Sequence, residues 1–217
     1  MDLNIFVYVL LIFCIPYLLY SNIRIRPRKG FSVLFISIIS TVILLNFSLV
    51  TIVGTFFLIL TLMIKSKNSH PYLYGVSFLL LNYEIFNLLN LNIFEFVIDY
   101  LFPISLVSGV FSSMMIGHWF LVDPTISKEG MKKIAIISTY QSLILAPLVF
   151  FDFIGQDIES IFKNVILILF LSTSILSFAS YKSLGEKSYT GVMASTGLSY
   201  LSLIVSLGAS GGLLLLS

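Results

Sequence analysis

Charged residues, cysteine and histidine are all scarce in this chain. Of its 217 residues, 58% are hydrophobic and only 10% are charged, whereas a soluble domain usually carries about 25% charged residues. Side chains of this composition cannot build a surface that faces water, so we expect the lipid bilayer to surround the protein. The formal net charge of +2 is small and dispersed, and it excludes nucleic acid as a partner.

The scarcity of metal-ligating residues excludes several kinds of site. Cys14 is the single cysteine, so the chain can form neither an intrachain disulfide nor a cysteine-based zinc or iron–sulfur site. We therefore predict no metal. The sequence also contains no H-E-x-x-H, no G-x-S-x-G and no phosphate-binding glycine loop. These absences favour a protein that is not an enzyme.

Long apolar segments alternate with short charged ones, which predicts an all-α, polytopic integral membrane protein. A helix that crosses the hydrocarbon core needs about 20 consecutive apolar residues. We predict a single transmembrane domain over residues 1–217, built as a bundle of eight helices. The spans are expected at about 4–21, 31–46, 48–64, 72–91, 104–122, 134–151, 162–181 and 189–216.

The count of eight depends on the uncharged segment from Phe31 to Ile64, which is too long for one helix. We expect it to break near Asn46-Phe47-Ser48. Basic residues lie on both sides of it, at Arg24, Arg26, Arg28, Lys29, Lys65 and Lys67. They share one side of the membrane only if the chain crosses twice between them.

With eight spans, every Lys and Arg except Lys163 falls on the same side. Loops rich in Lys and Arg stay in the cytoplasm. We therefore predict a multi-pass protein of a cytoplasmic-type cell membrane. Its basic loops face the cytoplasm, and its N-terminus and C-terminus are both on the non-cytoplasmic side.

Small residues recur every fourth position in the fifth predicted span, at Ser105, Gly109, Ser113 and Gly117. The last span repeats the pattern with Gly191, Ser195 and Ser199. Such spacing lets the backbone of a neighbouring helix approach closely. We interpret both patterns as packing faces.

One charged residue, Glu84, lies near the middle of a predicted span. Ser77 and Asn87 share its face of the helix, and Tyr83 and Asn90 extend this polar stripe. A carboxylate at that depth is costly unless it is partnered, protonated or hydrated, and such residues mark ion or proton paths. The alternative is a neutral Glu84 that is hydrogen-bonded to an Asn or Tyr and only holds helices together.

Two other polar side chains could extend a path from Glu84. Counted at about 1.5 Å per residue, His118, Gln141 and Glu84 lie roughly 6, 12 and 18 Å from the inner boundary. Asn87 and Asn90 continue outward. We expect a protein that translocates a small solute or ion, with proton coupling through Glu84 and with Asn87, Asn90, Gln141 and His118 along the path.

Two alternatives stay open. His118 could ligate a haem b or contact a quinone in a redox membrane protein, and His70 could supply the second axial ligand; on the transport hypothesis no cofactor is expected. The chain could instead be a structural or assembly subunit of a membrane complex. Its partners would then be a second copy or the other subunits of that complex.

Overall fold

The computed structural model describes residues 3–25, 29–63, 70–90, 92–124, 127–186 and 188–216. At 18–25, 29–32, 34, 62–63 and 70–71 it describes the backbone alone. Several basic residues that support the predicted orientation lie outside the described residues, namely Arg26, Arg28, Lys65, Lys67 and Lys187.

Helices dominate the described chain, and none of the described residues lies in a strand, which confirms the predicted all-α class. A π-helical turn over Phe96–Leu101 connects α5 to α6. The helices are α1 (Leu3–Ile25), α2 (Lys29–Leu45), α3 (Leu49–Met63), α4 (His70–Leu89), α5 (Ile93–Glu95), α6 (Phe102–Val122), α7 (Glu129–Phe150), α8 (Ser160–Ser183) and α9 (Tyr189–Leu216).

Four described helical segments are long and apolar enough to cross a membrane: the continuous stretch Ile93–Val122, α7, α8 and α9. Shorter apolar stretches cover Leu3–Tyr17, Phe35–Leu45 and Leu49–Thr61. Large apolar side chains on the helices are exposed, which suits contact with lipid and would be unfavourable in water. These features suit a membrane-embedded helical protein, while the number of spans and the side of each terminus stay predictions.

The long uncharged segment is divided between α2 and α3, and Asn46, Phe47 and Ser48 lie outside both helices. The local cause is a helix cap. Ser48 Oγ accepts a hydrogen bond from the backbone N–H of Thr51 at 3.1 Å, which satisfies one of the free N–H groups at the start of α3. A new helix therefore begins at Leu49.

The chain divides into two compact units, and their boundaries fall within α1, after Arg26 and at the start of the π-helical turn. The short-helix unit comprises Asp2–Ile12 and Pro27–Phe96, and the long-helix unit comprises Phe13–Arg26 and Val97–Ser217. That the whole chain forms one transmembrane domain stays a prediction.

In the short-helix unit, α3 packs against both α2 and α4. Ser77 Oγ on α4 donates a hydrogen bond to the carbonyl oxygen of Gly54 on α3 at 2.8 Å. A Cβ at Gly54 would lie 3.0 Å from the side chain of Leu81. The absence of a side chain at Gly54 thus allows α4 to approach the backbone of α3.

In the long-helix unit, α6 packs against α7 and α9, and α8 packs against the same two helices. Buried apolar side chains from all four helices form its core, among them Leu106, Leu145, Phe170 and Leu213. Ile154 and Ile158, from the turn between α7 and α8, belong to the same core. Within this unit, α6 to α9 therefore form a four-helix bundle with an apolar core, and the second half of α1 belongs to the same unit.

Candidate functional site

Glu84 lies half-buried on α4, shortly before that helix ends at Leu89. Its Oε1 accepts a hydrogen bond of 3.2 Å from Nδ2 of Asn46, the residue directly after α2. No Lys or Arg among the described residues forms an ion pair with Glu84. Within the described part of the chain, the carboxyl group is therefore partnered by a neutral amide and by no cationic side chain.

Asn46 connects Glu84 to a group of hydroxyls. Its Nδ2 also donates to Thr51 Oγ1 at 3.4 Å, and Ser48 Oγ donates to the same oxygen at 3.1 Å. Thr51 Oγ1 lies 2.8 Å from the hydroxyl of Tyr8. We call Tyr8, Asn46, Ser48, Thr51 and Glu84 the Glu84 network.

A pocket of about 80 Å³ adjoins the network, with room for more than one water molecule. Three of its six lining residues are polar, and two of these, Tyr8 and Asn46, belong to the Glu84 network. The lining comprises Asn4, Ile5, Tyr8, Leu45, Asn46 and Leu88. A small polar ligand or an ion with some of its water would therefore meet hydrogen-bonding groups there.

The pocket lies at one end of the short-helix unit. Asn4 and Tyr8 come from the start of α1, Leu45 is the last residue of α2, and Leu88 lies at the end of α4. The start of α1 and the ends of α2 and α4 therefore meet around the same pocket.

The other predicted residues of α4 are more exposed than Glu84. Asn87 and Asn90 are both exposed, and Tyr83 keeps 58% of its surface accessible. Asn90 has a positive φ of 51°, and its N–H donates to the carbonyl oxygen of Phe86 at 3.0 Å. Asparagine tolerates this left-handed conformation and commonly ends helices, so Asn90 has a structural role at the end of α4.

Gln141 and His118 belong to the long-helix unit. Gln141 Nε2 on α7 donates to Ser105 Oγ on α6 at 2.7 Å, and its Oε1 accepts a hydrogen bond from the hydroxyl of Tyr17 at 3.3 Å. His118 is exposed on α6. A continuous path from these side chains to Glu84 stays a prediction.

The two histidines lie on different helices, His70 on α4 and His118 on α6. His70 is the first residue of α4, described by its backbone alone, and belongs to the short-helix unit. Among the described residues, no three His, Cys, Asp or Glu side chains lie together as a group that could hold a metal ion. Ligation of haem b or contact with a quinone by His118, with or without His70, stays a prediction.

Sequence reasoning did not find the partners of Glu84. Asn46 was expected only at the helix break, and Tyr8 and Thr51 were not singled out. A usable signal existed for Asn46, because an amide inside a long uncharged segment needs a partner if it is not in water. Tyr8 gave no comparable signal, since tyrosine is common near the ends of membrane helices.

Comparison with known proteins leaves the site to be interpreted from its own chemistry. No family model matches this chain, and neither a curated protein nor a solved structure matches it.

Proposed function

We propose that this chain is a small integral membrane protein that translocates a small solute or ion, with proton coupling through Glu84. The observation that carries the proposal is the carboxyl group of Glu84. It lies half-buried in an apolar helix, bonds to the Asn46 amide, and has no cationic partner among the described residues.

The physical reason is the cost of an isolated negative charge in a medium of low polarity. One amide donor offsets only part of that cost, so the site gains stability when a cation arrives. A proton that binds the carboxyl group neutralises it, and release of the proton restores the charge. Alternation between these two states is the step to which movement of a solute or ion can be coupled.

The pocket beside the network suggests the side from which the cation enters. In the proposed eight-span topology the N-terminus and the ends of α2 and α4 are on the non-cytoplasmic side. The pocket, at the start of α1 and the ends of α2 and α4, would then open toward that side. In this proposal Tyr8 and Asn46 receive the cation before it reaches Glu84.

The remaining part of the path is also proposed. Asn87 and Asn90 would be its outer polar groups, and Gln141 and His118 would lead toward the cytoplasmic side. The basic loops would face the cytoplasm in a cytoplasmic-type membrane. The hydrogen bond between Asn46 and Glu84 also fits the alternative in which Glu84 only holds helices together. The structural subunit and the haem protein therefore enter as outcomes of the test.

The test measures proton flux into liposomes that contain the purified protein and a trapped pH-sensitive dye. A potassium diffusion potential, negative inside, drives protons inward. We expect wild-type protein to acidify the lumen faster than empty liposomes do. Glu84→Gln keeps the shape of the side chain but cannot ionise, so we expect it to reduce the rate to that of empty liposomes.

The matched control is Glu159→Gln, because Glu159 is exposed and makes no side-chain cap hydrogen bond at the start of α8. It should acidify the lumen like wild type. Repeating the assay with sodium or potassium gradients identifies a second coupled ion. Wild-type protein without flux under all these gradients would contradict translocation of protons, sodium or potassium and favour the structural-subunit alternative. A Soret absorbance band in purified protein would favour the haem alternative.

A further inference from the structure

The bundle of α6 to α9 contains a small cavity whose lining residues are mainly serines. Each of the four helices contributes two residues, three positions apart in the sequence, so that each pair lies on one helix face. Val110 and Ala135 are the two apolar members. The other members are Ser113, Ser138, Ser177, Ser180, Ser199 and Ser202.

The serines of α8 and α9 bond to one another. Ser177 Oγ lies 3.0 Å from Ser202 Oγ, and Ser180 Oγ lies 3.2 Å from Ser199 Oγ. Each of these four hydroxyls therefore has a partner.

The serines of α6 and α7 are different. Both are almost fully buried, with 2% of the surface of Ser113 and 1% of that of Ser138 accessible. Neither hydroxyl oxygen has a hydrogen-bond partner in the described part of the chain. Their sequence neighbours do bond within their own helices: Ser112 donates to the carbonyl oxygen of Ser108 at 2.7 Å, and Thr139 donates to that of Ala135 at 2.8 Å. Ser113 and Ser138 therefore lack the local bond that a helical hydroxyl can easily form.

A buried hydroxyl without a partner is destabilising, and both Ser113 and Ser138 belong to the residues that line this cavity. The cavity measures about 10 Å³, which suits a single water molecule. Its described lining carries no charged side chain, so a cation bound there would lack a counter-charge. A water molecule can both donate to and accept from hydroxyls, and buried waters typically make about three hydrogen bonds.

We propose that one ordered water molecule occupies this cavity and bonds to Ser113 and Ser138, joining α6 and α7 to the hydrogen-bonded serines of α8 and α9. The water is then an integral part of the bundle. This inference concerns the long-helix unit alone and does not depend on the proposed function of Glu84.

The proposal can be tested by the melting temperature of the purified protein. What matters is whether replacing a cavity serine by alanine lowers or raises that temperature. If the water is bound, Ser113→Ala and Ser138→Ala each remove one of its hydrogen bonds, and the melting temperature should fall by about 2–4 °C. If the cavity is empty, each substitution removes an unsatisfied hydroxyl, and the melting temperature should rise or stay constant. Because the two serines share one water, the decrease in melting temperature of the double variant should be smaller than the sum of the decreases of the two single variants.

The control is Ser206→Ala on α9. Ser206 is also fully buried, but its hydroxyl bonds to the carbonyl oxygen of Leu203 in its own helix, so it should not couple to Ser113 or Ser138. A high-resolution map should show one density peak within hydrogen-bonding distance of both Ser113 Oγ and Ser138 Oγ. An empty cavity in a map that shows other buried waters would overturn the proposal. A melting temperature that rises with sodium at constant ionic strength would replace the water by a cation.

Discussion

The side-chain amide of Asn46 is the described hydrogen-bond donor to the carboxyl group of Glu84. Asn46 donates from Nδ2 to both Glu84 and Thr51, so both hydrogens of the amide are used. The orientation of Asn46 is thereby set, and it presents a donor to the carboxyl group. A hydrogen bond to a charged group is stronger than one between neutral groups, so this bond is strongest when Glu84 is ionised.

A double-mutant cycle measures that bond. Asn46→Ala removes the only described donor to Glu84, and we expect it to lower the free energy of unfolding by about 1–2 kcal/mol. In the Glu84→Ala background the same change should cost less, because the partner is already absent. Unfolding in mixed detergent micelles gives both values, and a coupling energy indistinguishable from zero would contradict the hydrogen bond.

At the scale of helices, the small residues of α6 determine how closely its neighbours pack. A Cβ at Gly117 would lie 2.4 Å from Thr196 Oγ1 on α9, and one at Gly109 would lie 3.1 Å from Ser138 Oγ on α7. A Cβ at Gly117 would also lie 2.8 Å from Met131 on α7, and one at Gly109 would lie 3.1 Å from Tyr17 on α1. The predicted packing face therefore contacts α1, α7 and α9, and the absence of side chains at these positions lets α6 pack tightly against them.

Gly117→Ala should therefore destabilise the bundle. The added methyl group overlaps Thr196 Oγ1, so we expect a loss of about 1–3 kcal/mol in the free energy of unfolding. Gly197→Ala on α9 is the control, because a Cβ there meets nothing within 4 Å, and alanine favours helix over glycine by up to about 1 kcal/mol. Thermal unfolding of both variants should show a lower stability for Gly117→Ala and a higher stability for Gly197→Ala. Equal effects on stability would refute the close approach of α6 and α9.

At the scale of the whole molecule, helix length distinguishes α2 and α3 from the longer helices. These two have 17 and 15 residues, whereas α4 has 20 and α6 has 21. At about 1.5 Å per residue α2 and α3 cover roughly 22–26 Å, less than the ~30 Å of a typical hydrocarbon core. If both cross the membrane, the bilayer must thin locally or the flanking residues must adapt.

Cysteine labelling tests whether α2 and α3 both cross. Cys14 is the single cysteine and is buried, so Cys14→Ser gives a cysteine-free background. In that background we expect a membrane-impermeant maleimide added to intact cells to label Phe47→Cys, at the exposed turn between α2 and α3. Ser188→Cys, in the exposed turn before α9, should react only after the membrane is opened. Protection of position 47 under both conditions would contradict eight spans.

The amino-acid sequence by itself determined the helical class and the position of the main polar features along each helix. Scarcity of charge predicted helices that avoid water, and the four long apolar helices agree with that expectation. The long uncharged segment predicted a break at Asn46-Phe47-Ser48, and α2 and α3 are separated there. Glu84 was recognisable because a charged residue inside an apolar segment stands out without any knowledge of its neighbours.

Only the tertiary structure decided which side chains meet. It brought Asn46, Thr51 and Tyr8 together with Glu84, and it placed six serines from four helices around one cavity. The physical reason is that sequence spacing gives the height of a residue along its helix and its face. The partner of that face depends on how helices distant in the chain pack against one another.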